Sequence, residues 1–289
     1  MKYKHTSAEL RSDNRKERIK MKAFSRIYIA LVFTILYIPI LVLMLFSFNS
    51  TANTGELTGL SLYWYKELFN SPDTFNALKN TLVLAICAST ISTVIGTAAA
   101  VGITKFKSNL FKNSLLSLTN IPMMNPDIVT GISMMLLFVF IGNLIASEEK
   151  LGFGTLLIAH VTFCLPYVIL SVRPKILQMN KALPEAAQDL GCTPIQSFFK
   201  VELPNIMSGV ISGFILAFTL SLDDFVISYF TTGNDYQTLP LLIYSMTKKE
   251  VKPDIYALST LMILAVTVLL LLSNISSKDK ATTRKVAVK

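Results

Sequence analysis

The chain has 289 residues, of which 52% are hydrophobic and 16% charged, well below the roughly 25% charged residues of soluble globular domains. The apolar residues come in long blocks, which excludes an ordinary soluble fold. The formal net charge of +9 suggests nucleic acid as a partner, but its distribution along the chain sets that reading aside.

Apolar runs of about 20 residues, the length that crosses a bilayer, lie near 27–48, 81–103, 127–146, 153–172, 206–230 and 255–273. Lipid leaves no backbone group unpaired, and these runs are too long and too unalternating for barrel strands. The expected fold class is therefore all-α: a polytopic membrane protein with six transmembrane helices in the lipid bilayer. Lys and Arg number nine before residue 27, three in 104–126, four in 173–205 and five after 273, so 21 of the 27 fall on one side. The other loops hold two, one and three. This positive-inside asymmetry places both termini in the cytosol. The domain reading is a basic cytosolic tail over 1–26, a six-span domain over 27–273 and a second basic cytosolic tail over 274–289.

Residues 1–26 are polar and charged and read as a disordered or surface-lying tail. The first apolar run is longer than a signal-peptide core and lacks a small-residue cleavage site, so it reads as a retained anchor. The external loop 49–80 holds the single tryptophan, Trp64, between Tyr63 and Tyr65. Two readings stand for it: an interfacial anchor, or a contact on the substrate path, to a cation or an extracytoplasmic donor protein.

Weakly polar sequence from Leu110 to Ile145, with Pro122 and Pro126, is too long for one span. Either a surface helix precedes an ordinary span or a broken helix enters the membrane, the latter favoured by the helix start at Asn125-Pro126-Asp127. Asp127 serves as a helix-dipole partner or as a substrate contact. His160 reads as an interhelical hydrogen bonder and Pro166 as a kink. Cys87 and Cys164 read as small packing residues. With Cys192 they are too scattered for a disulfide frame or metal site. No glycine precedes a lysine, so no phosphate-cradling loop is present and no catalytic or metal residue is expected.

Carboxylates inside a span cost roughly 2.5–3.5 kcal/mol on insertion scales, and Asp223 and Asp224 stand together in the outer half of the fifth run. Ser221 shares a face with Asp224. The cluster reads as a path for a cation, with a structural hydrogen-bonded pair as the other reading.

The loop 181–204 reads as two short helices around a hinge. Pro184 suits a first turn and Gly191 a left-handed stop. Thr193, Pro194 and Gln196 form a capping box, and Phe198, Phe199 and Val201 follow until Pro204 breaks the helix. A cytosolic hook with two exposed phenylalanines is a docking element, with Glu185 as a helix cap or partner to a basic residue.

The spacing Glu185-Ala186-Ala187, Gly191, Val201, Leu203-Pro204 resembles the EAA loop of ABC-importer permeases, with Val201 where isoleucine is commoner. Asn125-Pro126-Asp127-Ile128-Val129, the run from His160 to Tyr167, Ser221-Leu222-Asp223-Asp224, Leu239-Pro240-Leu241 and Ile243-Tyr244-Ser245-Met246 are similar to the PotC-type permeases of spermidine/putrescine transporters. The likeness covers roughly residues 27–280. It implies a type I ABC-importer permease fold, a bacterial cell membrane and polyamine cargo. It also implies three partners: a cytosolic ABC ATPase dimer gripping the 181–204 hook, a second permease and an extracytoplasmic polyamine-binding protein. The chain itself would hydrolyse nothing and hold no cofactor, ATP being bound by the partner subunit. A secondary cation transporter working through the buried carboxylates is the rival reading; it leaves the hook unexplained.

Overall fold

The computed structural model describes residues 3–51, 56, 58–145, 151–180, 182–233, 236–248 and 254–268, with side chains from residue 24 onward. Among these residues the regular structure is helical, with one isolated antiparallel bridge between Asn49 and Leu60. The chain divides into two units, Met1–Glu67 with Lys252–Thr260, and Leu68–Val251 with Leu261–Lys289.

In the first unit, α1 runs from Tyr3 to Phe46. The backbone is thus helical long before residue 27, where the tail was expected to end. The reason is compositional: no glycine or proline occurs before Pro39, and Ala, Leu, Glu, Lys, Arg and Met recur through the polar stretch. No residue of the apolar part, Phe24–Phe46, is buried within this chain. Phe33, Ile35, Leu36 and Leu41 all stand outward, a surface that lipid can cover.

The chain then turns sharply, and polar side chains hold the turn together. Asn49 is fully buried; its Nδ2 donates to the Glu56 carbonyl at 2.8 Å and its Oδ1 accepts from the Thr58 N–H at 3.0 Å. The following helix, α2 (Tyr63–Asn70), brings Trp64 back so that its Nε1 donates to the Asn49 carbonyl at 2.8 Å. The Tyr65 hydroxyl meets Ser47 Oγ at 2.7 Å. Later in sequence, Tyr256 packs edge-on against Phe46 at 6.4 Å.

The second unit is built on α3 (Pro72–Lys105), α6 (Phe153–Gln178) and α9 (Leu203–Asp223). Lipid gives apolar helices no hydrophobic reason to associate, so close van der Waals approach must hold them. The facing residues are accordingly small: Ala85, Ala88, Ser89, Ser92, Gly96 and Ala100 on α3, and Gly209, Gly213 and Ala217 on α9. Ala100 and Ala217 cluster with Phe163, Cys164, Val168 and Val172 of α6. A Cβ at Gly96 would lie 2.7 Å from Val168 Cγ1, and one at Gly209 would lie 3.0 Å from the Ser171 carbonyl. Two threonines of α3 spend their hydroxyls on their own backbone, Thr81 on Ala77 at 2.8 Å and Thr104 on Ala100 at 2.7 Å.

Among the described residues, five helical stretches are long and apolar enough to cross a membrane: Phe24–Phe46, Pro72–Lys105, Asp127–Leu144, Phe153–Gln178 and Pro194–Asp223. The sixth run appears as the shorter apolar helix Asp254–Val268, its remainder to residue 273 lying outside the described residues. The 274–289 tail lies outside them too, as do 146–150, 234–235 and 249–253 of the expected external loops.

The long third run resolves into two helices, α4 (Asn109–Met124) and α5 (Asp127–Leu144). Only α5 is long and apolar enough to span, so the surface helix preceding an ordinary span describes it better than a broken membrane helix. Pro122 stays inside α4, and the break falls at Asn125 and Pro126. Asn125 ends α4 and its side chain caps nothing; Pro126 is the N-cap and Asp127 the first residue of α5.

The fifth run also departs from expectation. Its helix α9 stops at Asp223, and a separate six-residue helix, α10 (Val226–Thr231), follows the break at Asp224 and Phe225. Residues Leu239–Thr247 then form a further helix. That segment is tied to the start of α3 by the Leu239 N–H on Thr81 Oγ1 at 2.7 Å and by the Tyr236 hydroxyl on the Asn80 carbonyl at 3.1 Å.

Candidate functional site: the coupling loop and the helix break

Two places carry the residues singled out from the sequence. The first is the loop after α6. Its helix α7 (Ala182–Asp189) holds Pro184 in the first turn with the exposed Glu185 beside it. Ala186 is exposed and Ala187 half-buried. Gly191 ends the helix at φ +90°. The Cys192 N–H reaches the Ala187 carbonyl at 3.1 Å and the Gly191 N–H the Gln188 carbonyl at 2.9 Å, a Schellman closure that a left-handed residue makes possible.

Helix α8 (Pro194–Ser197) starts on the reciprocal bonds of its box: the Gln196 N–H donates to Thr193 Oγ1 at 3.3 Å and the Thr193 N–H to Gln196 Oε1 at 3.1 Å. The buried Ser197 hydroxyl then donates to the Pro184 carbonyl at 3.1 Å, clasping one short helix to the other.

Beyond Ser197 the backbone widens into a π-turn, Phe198–Glu202, and runs straight into α9 with Pro204 in its first turn. Pro204 does not break the helix. A proline lacks the N–H of a regular turn and collides with the carbonyl four residues back; the wider turn, with the Leu203 N–H on the Phe198 carbonyl, makes room for it. Phe198 is half-buried, so only Phe199 of the pair is fully exposed. Leu183, Leu190 and Ile195 complete the exposed apolar surface of the hook. Leu203 is half-buried against the core and Pro204 exposed.

The hook is rooted by an ion pair that the sequence reading missed. Glu202, almost fully buried, accepts from Lys105 Nζ at 2.7 Å, where α3 ends. A carboxylate in an apolar stretch next to Leu203-Pro204 was the available signal; its partner 97 residues away was not.

The second place is the break between α9 and α10. His160, on α6 and almost fully buried, meets Ser221 Oγ through Nδ1 at 2.8 Å and Ser228 Oγ through Nε2 at 2.9 Å. Either tautomer satisfies both contacts, since each hydroxyl can donate or accept. Asp224 caps α10: its carboxylate accepts from the Ile227 N–H at 3.3 Å and the Ser228 N–H at 2.8 Å, and lies 3.5 Å from His160 Nε2. Ser221 and Asp224 are thereby committed to a network joining α6, α9 and α10, with Ser228 a member that the sequence reading did not name.

Asp223 and Asp127 remain exposed. Asp127 stands within electrostatic reach of both Asp224 and Tyr167, and Asp223 within reach of Asp224. The structure brings the three carboxylates into one region. Trp64 lies in the first unit, where it closes the turn after α1.

Residues 92–278 match the family described as "Binding-protein-dependent transport system inner membrane component". The chain belongs to this family. Family membership makes it a multi-pass inner-membrane transport component and does not favour the secondary-transporter reading. Among its relatives, the putrescine transport system permease protein PotI of Escherichia coli K12 is 41% identical over 242 residues, 83% of this chain and 86% of that one. The spermidine/putrescine transport system permease protein PotC of the same strain is 36% identical over 255 residues, 88% of this chain and 93% of that one. PotC of Haemophilus influenzae is 36% identical over 251 residues, 87% and 95% of the two chains. The chain is thus homologous to the PotC and PotI permeases, as its EAA spacing and its longer motifs suggested.

Solved structures agree on the fold. A chain of a bacterial ABC transporter that imports alginate superposes with a TM-score of 0.73 at 14% identity, covering 92% of this chain and 98% of that one. A chain of the MetNI methionine ABC transporter gives 0.58 at 15% identity, over 72% and 98%. At such identities the likeness speaks for the all-α ABC-importer permease fold alone.

Proposed function

We propose that this chain is a pore-forming permease subunit of an ATP-driven polyamine importer. The observation that carries this reading is the identity of 41% and 36% to PotI and PotC over more than four-fifths of this chain and of each relative. The exposed carboxylates Asp223 and Asp127 support a cationic cargo, because negative potential draws cations and repels anions. Asp224 and Ser221 act on the path by positioning the break.

The partners are those that the permease type requires: a second permease, a cytosolic ABC ATPase dimer and an extracytoplasmic polyamine-binding protein. The hook formed by Glu185, Ala186, Ala187, Gly191, Phe198, Phe199, Leu203 and Pro204 is the handle for the ATPase. Its capped geometry and exposed Leu190, Ile195 and Phe199 suit a protein contact. ATP is held and hydrolysed by that partner, and this chain is not an enzyme. The domain organisation follows: a cytosolic basic tail over 1–26, a transmembrane domain over 27–273 and a cytosolic basic tail over 274–289.

Purification of the complex followed by reconstitution into liposomes tests the reading. ATP-dependent uptake of labelled spermidine or putrescine, with an ATPase and a second permease copurifying, is the expected result. Uptake that proceeds without ATP, or no uptake of either polyamine, would overturn it.

A further inference from the structure

Just past Asp223 the chain builds an aromatic cluster that neither the coupling loop nor the buried network uses. Phe225, in the helix break, stacks at a tilt on Tyr244 with ring centroids 4.6 Å apart. Tyr229, one turn along α10, lies 5.6 Å from Phe225 and 5.9 Å from Tyr244. Tyr229 and Tyr244 are both exposed. Three rings gathered around Phe225, two residues past the exposed Asp223, form a surface of negative quadrupole faces. One face is already occupied by a cation: Lys248 Nζ sits 4.6 Å from the centroid of the Tyr244 ring.

We propose that Phe225, Tyr229 and Tyr244, with Asp223, form a binding site for a primary alkylammonium group, in which the Lys248 side chain is a tethered stand-in that the cargo must displace. The chemistry matches in both parts. A lysine side chain is itself an alkylammonium, a methylene stem ending in –NH₃⁺, so the ring that holds it will hold the end of a polyamine chain in the same way. The rings supply apolar faces for the methylenes, and Asp223 supplies a charge that makes no ion pair among the described residues. This deepens the polyamine reading and rests on it.

The site makes opposite predictions for its two kinds of residue. Tyr244→Leu removes a ring face and should raise KM for spermidine uptake about five- to thirty-fold, the range implied by losing a partly desolvated cation–π contact. Tyr244→Phe keeps the face and should stay within about twofold of wild type. Lys248→Met removes the competitor and should lower KM. An exposed lysine on α3, Lys79, calibrates the simple loss of one positive charge, so Lys79→Met should lower KM less.

The experiment is uptake kinetics of labelled spermidine in liposomes holding the whole complex, beside subunit levels on gels. Equilibrium dialysis of labelled spermidine against the purified complex provides a second readout. An unchanged KM for Tyr244→Leu, or equal effects of Lys248→Met and Lys79→Met, would overturn the site. So would a Tyr244→Leu variant that sheds the second permease while the remaining complex keeps its KM, because the cluster is then a subunit contact. Absence of uptake by the wild type instead counts against the polyamine reading; dialysis then decides the site, and spermidine binding indifferent to Tyr244→Leu overturns it.

Discussion

Asp223 and Asp224 are neighbours in sequence with different tasks in the fold. The carboxylate of Asp224 satisfies two N–H groups at the start of α10 and stands beside a buried histidine. Its replacement by Asn keeps one acceptor oxygen but turns an amino group toward donors. Leaving a buried N–H without a partner costs about 1–3 kcal/mol. Asp224→Asn should therefore lower the amount of complex in the membrane, whereas Asp223→Asn should spare assembly and cut uptake. Quantifying the complex and spermidine uptake in the same membranes checks both. Full uptake by Asp223→Asn at normal levels would remove Asp223 from the path. The sequence showed that these carboxylates are costly in a span, but not which one is spent on structure. That division depends on where α9 ends and on Ser228 and His160, which only the tertiary fold brings together.

At the level of the helical elements, the hook couples local rules to long-range ones. Its caps were legible because a capping box and a left-handed glycine are local devices, set within a few residues of chain. The π-turn was not legible, since Pro204 reads as a breaker until the widened turn is seen to make room for it. The root, Lys105 with Glu202, was hidden for the same reason: its two members meet only after α3 and α9 pack.

Two tests follow for these elements. A Cβ at Gly191 would meet nothing within 4 Å, so only its backbone conformation matters. Gly191→Asn should be nearly neutral because Asn visits the left-handed region, while Gly191→Val should pay more than the roughly 1–2 kcal/mol of an ordinary residue there. The valine variant should insert normally yet lose transport coupled to ATP hydrolysis; normal coupling would detach the hinge from that role. Glu202→Gln and Lys105→Met should each weaken the hook's root. Removing Lys105 strands a buried carboxylate at a cost of about 1–3 kcal/mol, so Lys105→Met should lower thermal stability more than Glu202→Gln. The reverse order would show that the pair contributes little beyond burial.

At the level of the whole molecule, composition alone established the class: long apolar blocks demand helices in lipid, and the helices are there. Orientation rests on charge. With 21 of 27 basic residues on one side, the proposed orientation has both termini and the 181–204 hook in the cytosol, and the loops near 49–80, 147–152 and 231–254 outside. The same assignment puts the aromatic cluster and Lys248 on the side from which a donor protein would deliver cargo. Thiol labelling decides it. In a chain with Cys87, Cys164 and Cys192 replaced, a membrane-impermeant maleimide added to intact cells should label a cysteine at Asn70. It should not label one at Ile195 until the membrane is permeabilised. Asn70 and Ile195 are both exposed in the chain, so burial cannot mimic the membrane barrier. Labelling of Ile195→Cys from outside would reverse the topology, and with it the placing of the hook beside an ATPase.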